Sequence, residues 1–231
     1  MRSLAGAVWP DLSHRPLLVV PLGSVEQHGH HLPLATDTVV ACAVAEAAVG
    51  ELDDALLAPA LAYGAGGEHE GFPGTISLGT EALTGLLVEY GRSACRWAGR
   101  VLLVNGHGGN HEALAAAGGV LRREDRDVAW FPCGVPGGDA HAGRTETSLM
   151  LHVEPDAVLA DRSVPGITTP LSDLLPRLRA EGVRAVSPTG VLGDPAGATA
   201  EEGEELLGAM AGRLAAAVAT WLVDDSGRLA G

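Results

Sequence analysis

Leu17-Leu18-Val19-Val20-Pro21-Leu22 is an uninterrupted apolar run, and it leads directly into a polar segment, GSVEQHGHHLPLATD at residues 23–37. An apolar run of this length predicts a strand that is buried on both faces, as in a parallel sheet. Glu26 and His28 are two positions apart, so an extended backbone directs both side chains the same way. Asp37 follows at the predicted start of a helix, where Thr36 or Asp37 can cap the first N–H groups. Carboxylate and imidazole groups that converge beyond a strand predict a site for a divalent metal ion.

Predicted strands and helices alternate along the rest of the chain. Further strands are predicted at 56–63, with a break at Pro59, and at 101–104 and 128–132. Helices are predicted at 38–49, 81–97, 111–123 and 171–180. Another helix begins at residues 141–148 and ends before Pro155. The last predicted helix begins at a capping box formed by Thr199 and Glu202 and runs to about residue 223.

This alternation predicts an α/β fold with a doubly wound, mostly parallel sheet, in which ligands bind beyond the carboxyl ends of the strands. The alternation leaves the strand order open. We expect one domain over residues 1–231, with an irregular N-terminal arm at 1–16.

The chain of 231 residues has a formal net charge of −14, from 15 basic and 29 acidic side chains. This acidity argues against nucleic acid or an anionic membrane as a partner. No apolar run approaches the ~20 residues of a membrane span, and no signal peptide is visible. Cys42, Cys95 and Cys133 form no CxxC motif, and three cysteines without a disulfide framework indicate a reducing compartment. We therefore expect a cytoplasmic protein.

A second polar cluster, NGHGGN at residues 105–110, follows the predicted strand at 101–104. Its glycines allow a tight turn and a close approach of the backbone to a ligand, and His107 is its one strong metal donor. The start of the next helix could instead bind phosphate, but the cluster has neither a GxGxxG pattern nor a Walker lysine. Because His107 and the donors of residues 26–37 follow buried strands, a shared metal site is the favoured interpretation.

A third cluster, His141 and Glu146, opens the predicted helix that follows the strand at 128–132. The helix dipole favours a carboxylate at the position of Glu146 even without a function. A second metal ion requires another carboxylate, however, and no other candidate follows a strand so closely. His141 is the natural proton shuttle, because an amide hydrolase must protonate the amine that leaves.

Two other groups have simpler interpretations. Glu68, His69 and Glu70 lie in a Gly-rich loop at 64–79, which predicts a solvated loop or, alternatively, a lid that contacts substrate. His30 and His31 are interpreted as solvated or hydrogen-bonded side chains.

Taken in order, the motifs resemble those of the creatininase family over residues 17–221. The matching segments are GSVEQHG at 23–29, LPL at 32–34, TD at 36–37, NGHGGN at 105–110, HAG at 141–143 and ETS at 146–148. The resemblance implies a three-layer αβα sandwich and amide-bond hydrolysis, commonly in hexamers built as trimers of dimers. It also implies a binuclear centre, with two divalent ions per subunit that are zinc, iron or manganese.

The resemblance also implies a ligand set. The ligands of one metal ion would be Glu26, Asp37 and His107. Those of the other would be His28, Asp37 and Glu146, so that Asp37 bridges the two. Creatininase itself has a metal-binding carboxylate where this chain has Gly109, and Glu146 is the inferred replacement. Creatininase also has tryptophans near its lid that residues 132–139 lack, so creatinine is not the expected substrate.

A closer resemblance is to the peptidase branch of this family that acts in mycofactocin biosynthesis. The matching segments are YGAGGEH at 63–69, GTIS at 74–77, VEYGRS at 88–93 and GVLGDP at 190–195. This likeness implies removal of the C-terminal Val-Tyr dipeptide from a modified precursor peptide. We assign the catalytic role to His141 and Glu146, and the substrate contacts to Glu68, His69, Gly108 and Gly109. The alternatives are an amidohydrolase of the same family that acts on a small cyclic amide or formamide, a non-catalytic metal-binding or scaffold subunit, and a flavodoxin-like nucleotide binder.

Overall fold

The computed structural model describes residues 3–12, 15–52 and 54–231. Its strands are β1 (Leu17–Leu22), β2 (Ala55–Leu57), β3 (Arg100–Asn105) and β4 (Val128–Pro132). They form one parallel sheet in the order β2-β1-β3-β4. In the central pair, Leu17 of β1 lies opposite Arg100 of β3. The predicted parallel sheet is confirmed, and its order places the two strands that precede the first two polar clusters side by side.

Seven helices are described, and five of them cover the two faces of the sheet. Their bounds are α1 Thr36–Glu51, α2 Thr80–Ala94, α3 His111–Arg123, α4 Arg144–Val153, α5 Leu171–Glu181, α6 Val183–Val186 and α7 Ala200–Thr220. Residues of β1 alternate between the layers, because Leu17 and Val19 pack with α1, α4 and α7 while Leu18 and Val20 pack with α2 and α3. The fold is therefore a three-layer αβα sandwich, as expected.

The two remaining helices, α5 and α6, pack away from the sheet around a small third cluster of buried side chains. Its members are Leu174, Leu178, Val183, Val186 and Leu192. Gly182 joins the two helices with a φ of 76°, a left-handed conformation that glycine adopts without strain. Among the residues described, no helix is both long and apolar enough to cross a membrane.

Several local predictions differ from the structure. β2 is shorter than the predicted 56–63, because Pro59 has no N–H for the ladder and only Leu61 pairs again beyond it. Thr36 does not cap α1, since its hydroxyl donates to Pro33 O at 2.7 Å. Met1, Arg2, Ser13 and His14 of the predicted arm lie outside the described residues, and the described part contains a short 3₁₀ turn at Trp9–Leu12.

The predicted cap of the last helix is half confirmed. Thr199 Oγ1 accepts from Glu202 N at 3.1 Å, as in a capping box. The Glu202 carboxylate turns away to accept from Arg144 Nε at 2.8 Å and Ser148 Oγ at 2.7 Å, and Thr199 N donates to Ser148 Oγ instead. The cap thus joins α7 to α4, whose backbones approach closely.

Gly203 of α7 provides a test of this close packing. A Cβ atom there would lie 2.0 Å from Ser148 O, whereas a Cβ at Gly208 on the same helix would meet nothing within 4 Å. We expect Gly203→Ala to lower the free energy of unfolding by about 1–3 kcal/mol through overpacking. The matched control Gly208→Ala should raise it by ~0.5–1 kcal/mol through helix propensity. Urea denaturation of both variants checks this, and equal effects would contradict the packing of α4 on α7.

Candidate metal centre

The three polar clusters of the sequence meet at one point, beyond the carboxyl ends of β1 and β3. Glu26 and His28 follow β1, Asp37 lies in the first turn of α1, and His107 follows β3. His141 and Glu146 lie before and within the first turn of α4. Parallel strands place all their carboxyl ends at the same edge of a sheet, so segments far apart in sequence converge there.

Asp37 lies between two histidines. Its Oδ1 atom is 3.2 Å from His28 Nε2, and its Oδ2 atom is 3.4 Å from His107 Nδ1. His107 Nδ1 is also 3.1 Å from Glu26 Oε1. The two oxygens of Asp37 thus face two different sets of donors, which is the arrangement of a carboxylate that can bridge two cations.

Glu146 and His141 border the His28 side of the cluster. Glu146 Oε2 is 3.8 Å from His28 Nε2 and accepts from Ala142 N at 2.6 Å. Ala142 has a φ of 51°, which is unusual for a residue with a side chain and aims its N–H at this carboxylate. Among the residues that the structure describes, three sets have donor atoms that all lie within 4.8 Å of one another: Glu26 with His28 and Asp37, His28 with His141 and Glu146, and Glu26 with His69 and His141.

The hydrogen bonding of these side chains fits a bound metal ion. Glu26 and Asp37 are 0% and 3% exposed, yet within the described residues both oxygens of Glu26 and Oδ2 of Asp37 lack a well-aligned hydrogen bond. Buried carboxylate oxygens are costly to leave unsatisfied. Divalent cations of the zinc, manganese or iron type bind this mixture of carboxylate and imidazole donors.

The pKa shifts of the histidines show that the buried carboxylates strongly favour positive charge beside them. Burial disfavours the charged form of His28, but Asp37 and Glu146 outweigh it and raise its pKa to about 10. The pKa of His107 is likewise raised well above its usual value against the effect of burial, chiefly by Glu26. Burial and then Asp37 raise the pKa of Glu26. In the metal-free protein, protons on the histidines supply charge that a divalent cation would replace.

Backbone carbonyl groups hold a proton on one nitrogen of each of two histidines, because a carbonyl oxygen can only accept. His28 Nδ1 donates to Glu26 O at 3.1 Å, which directs Nε2 toward Asp37. His141 Nε2 donates to Gln27 O at 2.7 Å, so its Nδ1 faces the cluster, 3.9 Å from Glu26 Oε1. Burial, and then the neighbouring His28, lowers the pKa of His141 well below its usual value. His141 is therefore neutral, with a free lone pair at Nδ1.

His69 lies much deeper than a solvated loop would place it, and that interpretation was wrong. It is 4% exposed, and its Nε2 atom is 3.2 Å from Glu26 Oε1. Gln27 Nε2 donates to His69 Nδ1 at 2.9 Å. Glu68 is partly exposed, with Oε1 3.5 Å from His107 Nε2, while Glu70 is exposed.

Hydrogen-bonded histidines were one of the two interpretations of His30 and His31. His31 is 1% exposed, and its Nε2 atom lies 2.9 Å from Thr147 Oγ1, so it is the hydrogen-bonded one. His30 is exposed. Neither side chain belongs to the donor sets that surround Asp37.

Gly109 can carry no side chain in this site. A Cβ atom there would lie 2.4 Å from His107 Nε2, 2.6 Å from Ala65 O and 2.7 Å from Glu68 Oε1. The space that a side chain at this position would need is filled by His107, Glu68 and the carbonyl group of Ala65. Gly108 and Gly109 both line the cavity that opens beside the cluster.

Three amide side chains that hold the site were missed from the sequence: Gln27, Asn105 and Asn110. Asn110 donates to Gly23 O at 3.1 Å and to Asn105 Oδ1 at 3.0 Å, and it accepts from Ala65 N at 2.8 Å. Asn105 donates to His107 O at 2.6 Å. An asparagine at each end of the Gly-rich turn was the available signal, since amides satisfy the backbone groups that such a turn leaves unpaired.

The cavity has a volume of about 840 Å³ and leads from the cluster to the surface beside α5. Asp37, His69, His107, His141 and Glu146 line its inner end. A volume of this size is within the range of ligand pockets in proteins. The arrangement can therefore hold a substrate next to the candidate metal ligands and next to the neutral His141.

Comparison with known proteins identifies the family of this chain. A protein 57% identical over 219 residues, which cover 93% of this chain and 89% of the relative, is the mycofactocin precursor peptide peptidase of Mycolicibacterium smegmatis. Among solved structures, a mutant creatininase of Zn-Zn type has a TM-score of 0.79 at 30% identity, covering 95% of this chain and 97% of that one. A creatininase structure with Mn has a TM-score of 0.78 at 29% identity, covering 95% and 98%. The family model for creatininase, described as creatinine amidohydrolase, matches residues 7–218, and the chain therefore belongs to the creatininase family.

Proposed function

We propose that this protein is a metal-dependent peptidase that removes the C-terminal Val-Tyr dipeptide from the modified mycofactocin precursor peptide. The observation that carries the proposal is the pair of buried carboxylates, Glu26 and Asp37, whose unsatisfied oxygens face histidines at the inner end of a cavity. The name of the 57% identical relative supports the choice of substrate.

The proposed ligands divide into two sets. Glu26, Asp37 and His107 would hold one ion, and His28, Asp37 and Glu146 would hold the other. Burial raises the pKa of Glu146 to about 7; His28 opposes this shift and Asp37 adds to it. A cation beside Glu146 would stabilise its charged form, which is the form that binds metal. Two divalent ions, of zinc, iron or manganese, would polarise the scissile carbonyl and lower the pKa of a water toward ~7.

His141 would move the proton. Its neutral state and the lone pair on Nδ1 allow it to take a proton on the cluster side and to give it to the departing amine. Gln27 O holds the other nitrogen of the ring, so the proton enters and leaves at a single atom. The backbone of Gly108 and Gly109 lines the cavity beside His107, where N–H groups would stabilise the developing oxyanion.

Removal of one carboxylate should abolish metal and activity together. We expect Glu26→Gln to lose stoichiometric metal, because one proposed ion would retain only Asp37 and His107, and to lose release of Val-Tyr. The measurements are elemental analysis and mass spectrometry after incubation with the modified precursor peptide. Glu112→Gln is the matched control, since Glu112 is an exposed carboxylate that lines the same cavity. Turnover by a metal-free Glu26→Gln protein would contradict the proposal, and release of a product other than Val-Tyr would favour another amidohydrolase of the family.

Metal affinity should rise with pH. His28 has its pKa raised to about 10 in the metal-free fold, so it is protonated at neutral pH and must lose that proton to bind a cation. Below that pKa the apparent affinity should increase about tenfold per pH unit for each proton released. Calorimetric titration with Zn²⁺ or Mn²⁺ between pH 6 and 8, in buffers of different ionisation enthalpy, counts the protons. An affinity that does not change with pH would contradict the assignment of His28.

His141 should be separable from the metal ligands. We expect His141→Gln to keep its metal content and to lose roughly 10²–10⁴-fold in kcat, the range for removal of a general acid–base group. Since His141 also belongs to two of the compact donor sets, loss of one metal equivalent would instead identify it as a ligand.

A further inference from the structure

The wall of the cavity carries one charged group, Arg179, that the proposed chemistry does not use. The lining of the whole cavity includes five carboxylates and, among the described residues, a single side chain with a permanent positive charge, Arg179. The carboxylates are Asp37, Glu68, Glu112, Asp139 and Glu146. The chain has a net charge of −14, so a single arginine on the wall of an acidic cavity provides one defined position at which a negatively charged group can bind.

Arg179 has no partner in the part of the chain that the structure describes, since it makes neither a hydrogen bond nor an ion pair there. Arg177, two positions earlier on α5, donates to Glu181 at 3.2 Å and does not line the cavity. The guanidinium of Arg179 is thus free to bind a carboxylate, and its planar donors match the two oxygens of a carboxylate.

The side of α5 that carries Arg179 is apolar on the N-terminal side of this residue. Leu171 and Leu175 line the cavity and are 43% and 37% exposed. Their positions, four and eight residues before Arg179, place the three side chains in one row on the helix. Leu174 and Leu178 lie on the adjacent side of α5, where they are buried in the third cluster, and Leu178 also borders the cavity. The helix therefore presents two apolar contacts and one cation to the contents of the cavity.

The C-terminal end of α5 lies close to the candidate metal centre. A Cβ atom at Gly182 would be 3.2 Å from Glu68 O, and the adjacent His69 contacts Glu26. Arg179 is one turn before Gly182. The last two residues of an extended peptide span about 7 Å, so a carboxylate two residues beyond the scissile bond would remain within the cavity.

We propose that Arg179 binds the C-terminal carboxylate of the peptide substrate, while Leu171 and Leu175 contact the apolar side chains beside it. This inference rests on the proposed peptidase function and extends it. It makes the enzyme selective for a free carboxyl end, which determines where the chain is cut.

The test compares the modified precursor peptide with its C-terminal carboxamide, using the metal-loaded wild type, Arg179→Gln and the matched control Arg177→Gln. Wild type and Arg177→Gln should cleave the free acid with a kcat/KM about 10- to 100-fold above that of the amide, mainly through KM. Arg179→Gln should lose this preference and treat both peptides as the wild type treats the amide. Calorimetric binding of Val-Tyr and of Val-Tyr amide should show the same pattern without turnover.

The outcomes separate the two proposals. Cleavage with an unchanged preference in Arg179→Gln, or with no preference in the wild type, overturns the role of Arg179 and leaves the peptidase function standing. Cleavage of neither peptide by the metal-loaded wild type overturns the peptidase function and this inference with it.

Discussion

The structure depends on the burial of two negative charges that face the same point. Glu26 and Asp37 are almost completely shielded from water, and burial disfavours their charged forms. Two unpaired carboxylates in such a place would cost several kcal/mol. His28 lies beside Asp37 and His107 lies beside both carboxylates. The carboxylates raise the pKa of both imidazoles, and a pair of divalent cations would balance the same negative charge more fully. The buried carboxylates of the site are thus stabilised by positive charge placed beside them.

The sheet brings the donor groups together because β1 and β3 lie side by side, so that the segments after both strands reach the same edge. Close approach then requires glycine at two positions. A Cβ atom at Gly23 would lie 2.2 Å from Thr38 Oγ1, and one at Gly106 would lie 2.3 Å from Asp37 O. Asn110 ties the turn after β3 to the backbone of Gly23 after β1. Rigid loops packed on the start of α1 hold the donors in place.

The local hydrophobic pattern and the spacing of the motifs were sufficient to predict several strands and most of the candidate metal ligands. The apolar runs at 17–22 and 128–132 were predicted with their observed bounds, because a buried parallel strand needs an unbroken run of such residues. Glu26, His28 and His107 were singled out because they follow predicted strands, and Asp37 because it lies at the predicted start of the next helix. The strand order, and with it the meeting of these donors, depends on contacts between distant segments that spacing alone does not encode.

The contacts that were not predicted join segments that are distant in sequence. His69 is 43 residues from Glu26 and looks like part of a solvated loop until the fold brings it against the carboxylate. Gln27 reaches His69 and Gly190, and neither partner is near it in sequence. The row of α5 that faces the cavity was also hidden, because Leu171, Leu175 and Arg179 resemble the exposed side of any amphipathic helix.

A crystal structure of the metal-loaded protein, with anomalous data collected at the absorption edge of the bound metal, would locate the ions directly. We expect two anomalous peaks about 3.5–4 Å apart, on either side of the Asp37 carboxylate. One peak should lie beside Glu26 and His107, and the other beside His28 and Glu146. A single peak, or two peaks that do not share Asp37, would contradict this expectation.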